Sequence, residues 1–495
     1  MRKIIPIVIA VFLSMPFPAG ATEKKVQDWQ DDTIYSIVVD RFSNGDTSND
    51  HDVNANDPLA YNGGDLQGIM DRLDYIHDMG FTAIRLTPIF DNAPNGYHGY
   101  WVEDFYKVDE HFGTMKKFQQ LVKEAHKRNM KVFIDFVTNN VAETHEWMKD
   151  SSKQDWFHSK SQQELENAWV DGLPDLNQDN PEVKKYLIDA AKWWINKTDI
   201  DGYSLPEINQ VPVSFWREFS ANVKKEKTDF FLFGVPTENR EIDWEQYKAA
   251  GIDSLYDYGH SENLRKVFAN TNTSFQSLET NQENGLSTTF FDNEFTSRFT
   301  KDIVDERQFP GSRWKTALTY LYTTPGVPVV YYGTEIALNG EDIPDNRKLM
   351  SFRSEKELME YITKLGELRN KLPSLTRGTM EMLYDKEGMA VYKRVYQGET
   401  SIIAINNTRE SQKVTLTGGQ LEGGKELRGL LAGDMVRSHD DQYNIIIDRD
   451  NSEIYVLAEK SGLNLPLITA VGVSVLLILV FLILIIKRSR RNIVE

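Results

Sequence analysis

Apolar residues along the chain follow two alternating patterns, one typical of buried strands and one typical of helices. The runs TIYSIVV, FTAIRLT and KVFIDFV each have the length and composition of a strand buried on both faces. Between such runs, apolar residues recur every three or four positions, as at Leu66, Ile69, Leu73 and Ile76. The pattern therefore predicts strands that alternate with amphipathic helices.

Five more strand-like runs follow, with helical segments between them. They read DGYSL, FFLFGV, DSLYDY, STTFF and VPVVYYG. A short excursion, residues 138–178, interrupts the alternation after the third strand. Eight strands alternating with helices predict an α/β fold, a (β/α)8 TIM barrel over residues 22–375. Its functional face is expected at the C-terminal ends of the strands.

Two helix boundaries carry recognisable signals. Asn180 is a favourable N-cap and Pro181 suits a first helical turn, so a helix is predicted to begin there. The last helix of the barrel is predicted to begin at Ser354, because Glu357 three positions later completes a capping box. The same helix is predicted to end before Pro373.

The hydrophobic period changes again at about residue 376. The runs GMAVYKRVY, TSIIAINN, KVTLT, NIIID and EIYVLA are rich in β-forming residues and are separated by Gly, Asn and Asp. They predict a C-terminal all-β domain over residues 376–458.

The first 21 residues have the pattern of a cleavable export signal. Two basic residues precede an apolar run at 4–13, and Ala-Gly-Ala at 19–21 suits a cleavage site, so the mature chain is predicted to begin near Thr22. A first membrane span is the alternative, but spanning takes about 20 apolar residues.

Residues 465–486 form an uncharged apolar stretch, and the basic tail 487–495 follows at once. This length and this flank predict one transmembrane helix with a cytoplasmic tail. A buried core helix is the alternative. The sequence therefore predicts a single-pass protein of a cell membrane, exported and bacterial, with its N-terminal domain outside.

Composition restricts the partners. The formal charge is -18, which disfavours nucleic acid and anionic lipid surfaces as partners. The chain has no cysteine, so disulfides cannot hold the long loops of an exported domain. Bound metal is the expected substitute.

Motifs at the predicted strand ends carry a family resemblance over the stretch 29–457. They are NGYHGYWVEDFYKVDEHFGT, KVFIDFVTNN, GLPDLN, DIDGYSLPEINQ, FFLFGV, TFFDNEFTSRF, and YYGTEI with DIPDNR. In this order they resemble the successive motifs of the α-amylase family of glycoside hydrolases (family 13). The resemblance implies the barrel and a site for α-linked glucose polymers.

Members of that family use a nucleophilic carboxylate, a proton-donating acid and a third carboxylate. The matching positions here hold Pro206, Val235 and Phe295, and Ser204 stands where the family has an arginine. The side chains of Pro206, Val235 and Phe295 cannot transfer a proton. The resemblance therefore implies that no catalytic carboxylate of the family is retained.

Three acids lie near the vacated positions. Glu207 and Glu238 follow the nucleophile and acid positions, and Glu294 precedes the third carboxylate position. A shift by one residue along a strand turns a side chain to the other face. Glu294 is the exception, because it occupies a family histidine position that faces the pocket, and it is predicted to be the residual acid of the pocket.

The resemblance also implies a shell of sugar-contacting residues. They are Tyr97, His98, Tyr100, Trp101, Asp135, Arg298 and Arg347. The alternative for the same residues is barrel packing and loop anchoring.

Residues 43–57, SNGDTSNDHDVNAND, form an oxygen-rich loop, and Ca²⁺ binds six to eight oxygen ligands. The loop resembles the first calcium loop of cyclodextrin-forming and maltogenic family members. That implies calcium held by Asn44, Asp46, Asn49, Asp50, the Gly63 carbonyl and Asp65. A second family site keeps Asn139 and Asp175 but has Gln210 for a histidine. A solvated polar turn is the alternative for the first loop.

Three functions remain open at this stage. The favoured hypothesis is a membrane-anchored cell-surface protein that binds α-glucan or maltodextrin without efficient hydrolysis. The second is an active α-amylase-type hydrolase or transglycosylase on α-1,4-glucans that uses rearranged carboxylates. The third is a non-catalytic interaction subunit for a membrane or wall partner protein.

Overall fold

The computed structural model describes residues 29–158, 173–237, 242–278, 286–354, 356–460 and 465–491. The predicted signal segment 1–21, the predicted mature start Thr22 and the acid Glu238 lie outside the described residues.

Ten strands precede the C-terminal domain among the described residues, and eight of them close a barrel. In chain order they are β1 (Ile34–Ile37), β2 (Ala83–Leu86), β3 (Phe90–Asn92), β4 (Val102–Val108), β5 (Lys131–Asp135), β6 (Gly202–Pro206), β7 (Phe231–Val235), β8 (Ser254–Tyr256), β9 (Ser287–Thr289) and β10 (Val327–Tyr331). The closed order is β1-β10-β9-β8-β7-β6-β5-β2 with parallel neighbours, while β3 and β4 form a separate antiparallel pair. The predicted barrel is confirmed, and each of its strands coincides with a predicted run, although β6 extends one residue beyond its run, to Pro206.

Helices follow the strands around the outside of the barrel. They are α1 (Val39–Phe42), α2 (Leu66–Asp71), α3 (Leu73–Asp78), α4 (Met115–His126), α5 (Pro181–Thr198), α6 (Val213–Glu226), α7 (Trp244–Ala249), α8 (Tyr258–Ala269), α9 (Phe299–Asp305), α10 (Pro310–Thr323), α11 (Glu357–Lys371) and α12 (Pro373–Arg377). The start of α5 is confirmed, because Asn180 caps it by accepting from the Glu182 N–H.

The predicted start of α11 is wrong. The helix begins at Glu357, and its N-cap Lys356 makes no side-chain capping hydrogen bond. The Ser354 hydroxyl donates instead to the carbonyl oxygen of Ser351, so it does not accept from a helical N–H. A local turn has competed with the capping box for the same side chain.

Aromatic side chains fill the barrel interior. Phe133, Phe231, Phe233 and Tyr256 belong to one buried cluster, and Trp29 stacks on Phe231 with ring centroids 4.5 Å apart. The barrel interior is therefore a packed core rather than an open channel.

The C-terminal domain is built of eight antiparallel strands, which confirms the predicted all-β domain. They are β11 (Thr379–Lys386), β12 (Met389–Tyr396), β13 (Glu399–Asn406), β14 (Gln412–Thr417), β15 (Glu426–Gly429), β16 (Met435–Arg437), β17 (Gln442–Ile447) and β18 (Asn451–Ala458). Six form a sheet in the order β11-β12-β13-β18-β15-β16, and β14 pairs with β17.

The chain ends in α13 (Leu465–Arg491), which covers the predicted transmembrane segment. Within the described parts of the chain no helix has the length and apolar character needed to cross a membrane, so the prediction of a transmembrane helix is contradicted.

A buried arginine joins the barrel to the C-terminal domain. Arg313 of α10 donates to the Phe268 and Asn270 carbonyl oxygens, each at 2.8 Å, and to Asp450 at 2.9 Å. It also hydrogen-bonds the Asn407 side chain. One largely buried cation thus binds acceptors from both domains.

We expect Arg313→Met to lower the free energy of unfolding by about 3 kcal/mol, because it leaves several buried acceptors unpaired. Urea unfolding followed by circular dichroism measures the change. The matched control is Arg409→Met, since Arg409 is exposed and its Nε donates to the Thr271 hydroxyl. Equal stabilities of the two variants would contradict the bridging role.

Candidate active site

A buried arginine lies at the centre of the polar cluster at the C-terminal mouth of the barrel. Arg85, on β2, donates through Nε and Nη2 to Asp135 at 2.7 and 2.5 Å. Through Nη1 and Nη2 it donates to Glu294 at 2.8 and 2.6 Å. The hydroxyls of Ser36 and Ser204 accept from the same guanidinium at 3.0 and 3.2 Å. Arg85 therefore holds two carboxylates in bidentate pairs.

A tyrosine closes the cluster. The Tyr100 hydroxyl lies 2.7 Å from Asp135 Oδ2 and 3.2 Å from Glu294 Oε1. Asp135 ends β5, and Glu294 follows β9. Two acids that are far apart in the chain thus meet on one guanidinium and one phenol.

The shared environment separates the pKa values of the two acids. Burial raises the pKa of Asp135 to about 6, against the opposing charge of Arg85. Burial also acts on Glu294, but the charge and hydrogen bonds of Arg85 outweigh it and hold its pKa below the ordinary 4.5. At a pH between the two pKa values, the two neighbouring carboxyl groups therefore have different protonation states.

Aromatic side chains cover the pair. Asp135 and Glu294 are 0% and 1% exposed, and the ring of Phe295 packs 5.6 Å from that of Tyr100. Nδ1 of His98 accepts from the Tyr100 N–H at 3.1 Å. Burial, followed by the charges of Arg347 and Arg41, holds the pKa of His98 well below 6.5, so its ring is neutral.

The two arginines of the predicted sugar shell donate hydrogen bonds to backbone carbonyl oxygens. Arg347 donates through Nε and Nη2 to the Glu294 carbonyl oxygen at 3.0 and 2.8 Å, and its Nη1 lies 3.5 Å from the Tyr97 hydroxyl. Arg298 donates to the Asn346 and Tyr332 carbonyl oxygens at 2.8 and 2.7 Å. Arg347 thus positions the segment that carries Glu294, whereas Arg298 anchors a loop away from the carboxylates.

Trp101 completes the predicted shell. Its ring lies 4.8 Å from that of His98, at 84°. Its Nε1 is buried and has no hydrogen-bond partner among the described residues. Of the predicted shell, Asp135 and Tyr100 therefore join the carboxylate cluster, and Tyr97, His98, Trp101 and Arg347 surround it.

The residues at the three family carboxylate positions lie around the same mouth. Pro206 and Val235 are register partners on β6 and β7, and Val235 belongs to the apolar interior cluster. Phe295 packs over Tyr100. Glu207 has a left-handed backbone, φ 56°, and its Oε2 accepts from the side-chain amides of Asn139 and Asn140 at 3.3 and 3.0 Å.

The first calcium loop contains amide, carbonyl and carboxylate oxygens. Asn44 Nδ2 donates to both oxygens of Asp50, at 2.9 and 3.1 Å, and a Cβ on Gly63 would meet both side chains. Asn49 Oδ1 is buried without a hydrogen-bond partner among the described residues. This cluster fits Ca²⁺, because a buried amide oxygen such as that of Asn49 can serve as a calcium ligand.

Two predicted ligands of that loop also have structural roles. Asp65 caps α2 and accepts from the Gly45, Asp46 and Gly68 N–H groups. The Asp46 carboxylate accepts from Ser48. Across the described ranges, no group of three or more His, Cys, Asp or Glu side chains is arranged to hold a metal ion.

At the second predicted calcium site, the side chains of the expected ligands form hydrogen bonds with other side chains of the protein. Asn139 donates its amide nitrogen to Glu207, and Asp175 pairs with Nδ1 of His158 at 2.9 Å. Gln210 donates toward the Thr237 hydroxyl at 3.4 Å. These contacts involve the Asn139 amide nitrogen and the second oxygen of the Asp175 carboxylate, so the second calcium site stays a prediction.

Sequence reasoning did not single out Arg85. The available signal was a charged residue inside FTAIRLT, a run otherwise typical of a doubly buried strand. A fully buried arginine requires charged or carbonyl partners. That requirement predicts an ion cluster, although not which acids complete it.

The geometry agrees with what comparison to known proteins shows. A family model described as the α-amylase catalytic domain matches residues 36–374, and one for the α-amylase C-terminal domain matches residues 378–455. A beta/alpha-amylase of Paenibacillus polymyxa is 34% identical over 440 residues, which cover 83% of this chain and 36% of that protein. The chain thus spans well under half of that relative.

Two further comparisons cover a larger share of both aligned chains. An intracellular maltogenic amylase of Bacillus subtilis (strain 168) is 30% identical over 470 residues, or 87% of this chain and 78% of that protein. The crystal structure of an Anoxybacillus α-amylase is 54% identical, with a TM-score of 0.84, and covers 88% of this chain and 100% of that chain.

These similarities correct the favoured functional hypothesis. The relatives carry the names of amylases, which contradicts a cell-surface protein that binds glucan without hydrolysis and agrees better with the active-hydrolase alternative. One relative is named as intracellular, and the described residues contain no membrane-spanning helix. The expected single-pass cell-membrane localisation is therefore contradicted as well.

The catalytic-domain match extends over more than half of the sequence. By that extent of similarity, and by its parallel eight-stranded barrel, this chain belongs to the α-amylase family of glycoside hydrolases.

Proposed function

We propose that the chain is an α-amylase-type hydrolase or transglycosylase that acts on α-1,4-linked glucans through Asp135 and Glu294. The observation that carries the proposal is the meeting of these two carboxyl groups on Arg85 and Tyr100 at the barrel mouth. Cleavage of a glycosidic bond requires one carboxyl group to donate a proton and a second to act as nucleophile or base.

The separated pKa values assign the two roles. Asp135, with a pKa raised to about 6, is the proton donor, because a catalytic acid works best when its pKa lies near the working pH. Glu294, with its pKa held below 4.5, is the ionised nucleophile or base. Arg85 stabilises the ionised form of Glu294 through two hydrogen bonds.

The burial of the pair sets the expected rate. A sugar reaches the carboxylates only when the rings of Tyr100 and Phe295 move, since both acids are almost completely enclosed. Pro206 and Val235, at the family positions for nucleophile and acid, offer no proton-transferring group. We therefore expect slower turnover than in the amylases that this chain resembles.

We expect Asp135→Asn and Glu294→Gln each to reduce kcat/KM by about 100-fold or more, because each removes one half of the acid and nucleophile pair. Release of reducing sugar from starch and maltohexaose measures the effect. Glu207→Gln is the matched control, since Glu207 binds Asn139 and Asn140 rather than Arg85. Undiminished hydrolysis by both variants, or no hydrolysis by the unaltered protein, would refute the proposal.

The pH profile of kcat/KM tests the proton donor separately. Activity should fall as the pH rises through about 6, where Asp135 loses its proton, and should persist down to below pH 4.5, where Glu294 is still ionised. The Tyr100 hydrogen bond lowers the pKa of Asp135, so Tyr100→Phe should move the basic limb to higher pH. Tyr97→Phe is the control, and an unmoved limb in Tyr100→Phe would argue against Asp135 as the acid.

We further propose that calcium binds the first loop through Asn44, Asn49, Asp50 and the Gly63 carbonyl. Such an ion would hold this loop against the start of α2, where Asp65 already binds two of its N–H groups. It takes no part in the proton transfers.

A chelator should therefore lower the midpoint of thermal unfolding, because an ion bound only to the folded state stabilises it. Asp50→Asn should weaken this response, whereas Asp52→Asn, an equal loss of charge at an exposed neighbouring position, should preserve it. Differential scanning calorimetry with and without excess EDTA makes the comparison. A midpoint that EDTA leaves unchanged would remove the calcium proposal.

A further inference from the structure

A carboxyl group is buried where the last strand of the barrel meets the first. Glu335 lies in the short 3-10 helix Thr334–Ile336, shortly after β10, and its side chain is 0% exposed. Its Oε1 accepts from the hydroxyl of Tyr35 on β1 and from the hydroxyl of Tyr75 on α3, the latter at 2.9 Å. Because β1 and β10 are neighbours, one carboxyl group connects both closing strands to α3. We call this contact the Glu335 junction.

The second oxygen of this carboxyl group is unsatisfied. Oε2 of Glu335 is buried and has no hydrogen-bond partner among the described residues. Within the ranges that the structure describes, Glu335 also forms no ion pair with a Lys, Arg or His side chain. An ionised carboxylate needs donors at both oxygens, and a buried charge without a counter-charge is costly. The geometry therefore favours the neutral, protonated carboxyl group.

The basic side chains near the junction bind other groups. Arg72, which precedes α3, stacks on the Phe352 ring at 4.0 Å. Arg369 of α11 donates to four backbone carbonyl oxygens. The titratable groups that face Glu335 are phenols, namely Tyr35 from β1, Tyr75 from α3 and Tyr322 from α10. Burial raises the pKa of each phenol above the ordinary 10, so all three stay neutral and none offsets a negative charge.

We propose that the Glu335 junction is a pH-sensitive switch, closed while the carboxyl group carries its proton and weakened when the proton is lost to solvent. Burial raises the pKa of Glu335 above the ordinary 4.5, although the hydrogen bonds that the carboxyl group accepts act in the opposite direction. The folded protein therefore keeps this proton to a higher pH than the unfolded chain. The stability that it contributes is fully present below pH 4.5 and is lost as the pH rises through the pKa of the folded state.

Urea unfolding of the full chain at a series of pH values measures the switch, with Glu335→Gln as a neutral variant of the same shape. The unfolding equilibrium constant of the unaltered protein, divided by that of Glu335→Gln, should increase above pH 4.5. The increase should reach up to about tenfold per pH unit and should level off once Glu335 is ionised. Glu360→Gln is the matched control, because Glu360 is an exposed acid on α11, and its ratio should not change with pH. Other titrating groups are common to all three proteins and cancel in these ratios.

Infrared difference spectroscopy follows the proton itself. The C=O stretching band of a protonated carboxyl group, present in the unaltered protein and missing in Glu335→Gln, should disappear only above pH 4.5. If Glu335→Gln does not fold, Tyr75→Phe replaces it. This variant removes one hydrogen bond that lowers the pKa of Glu335, so a carboxyl band should persist to higher pH than in the unaltered protein.

Three results would overturn the inference. They are a stability ratio for Glu335→Gln that does not change with pH, a ratio that decreases as the pH rises, and a carboxyl band that is already lost at pH 4.5. The last two would show that the folded protein holds Glu335 as an ionised carboxylate. None of these measurements depends on hydrolysis, so the switch and the proposed function are tested separately.

Discussion

The buried pairing of Arg85 with Asp135 and Glu294 is the interaction on which the barrel mouth depends. Removing three charges from water is costly unless each finds close partners of opposite charge and its remaining hydrogen bonds are satisfied. Here the guanidinium meets both carboxylates in bidentate pairs, and the Ser36 and Ser204 hydroxyls accept from it as well. Ser204 is short enough to leave this space to an arginine that comes from another strand.

The same pairing opposes the chemistry that we propose for it. An enclosed and satisfied ion cluster stabilises the closed mouth, whereas glycoside cleavage requires that a sugar displace Tyr100 and Phe295 and reach the acids. Stability and activity conflict in this way at many enzyme sites.

The sequence predicted the fold well because parallel barrel strands are buried on both faces and appear as short apolar runs. Asn180 and Pro181 correctly predicted the start of α5, because an N-cap residue and the helix that it caps are adjacent in the sequence. The prediction that α11 begins at Ser354 failed, because the Ser354 hydroxyl donates to the nearby Ser351 carbonyl oxygen instead. Arg85 went unnoticed because its partners lie 50 and 209 positions away in the chain, a distance that no local pattern reports.

The family motifs placed the acids near the mouth, but only the three-dimensional arrangement relates them to each other. In a closed barrel the C-terminal ends of all strands converge, so a group lost from one strand end can be replaced from another. The motif positions Pro206 and Val235 lie on β6 and β7, whereas Asp135 ends β5 and Glu294 follows β9. Arg85 reaches both from β2, and convergence of the strand ends therefore explains how carboxylates from two separate strand ends meet on one guanidinium.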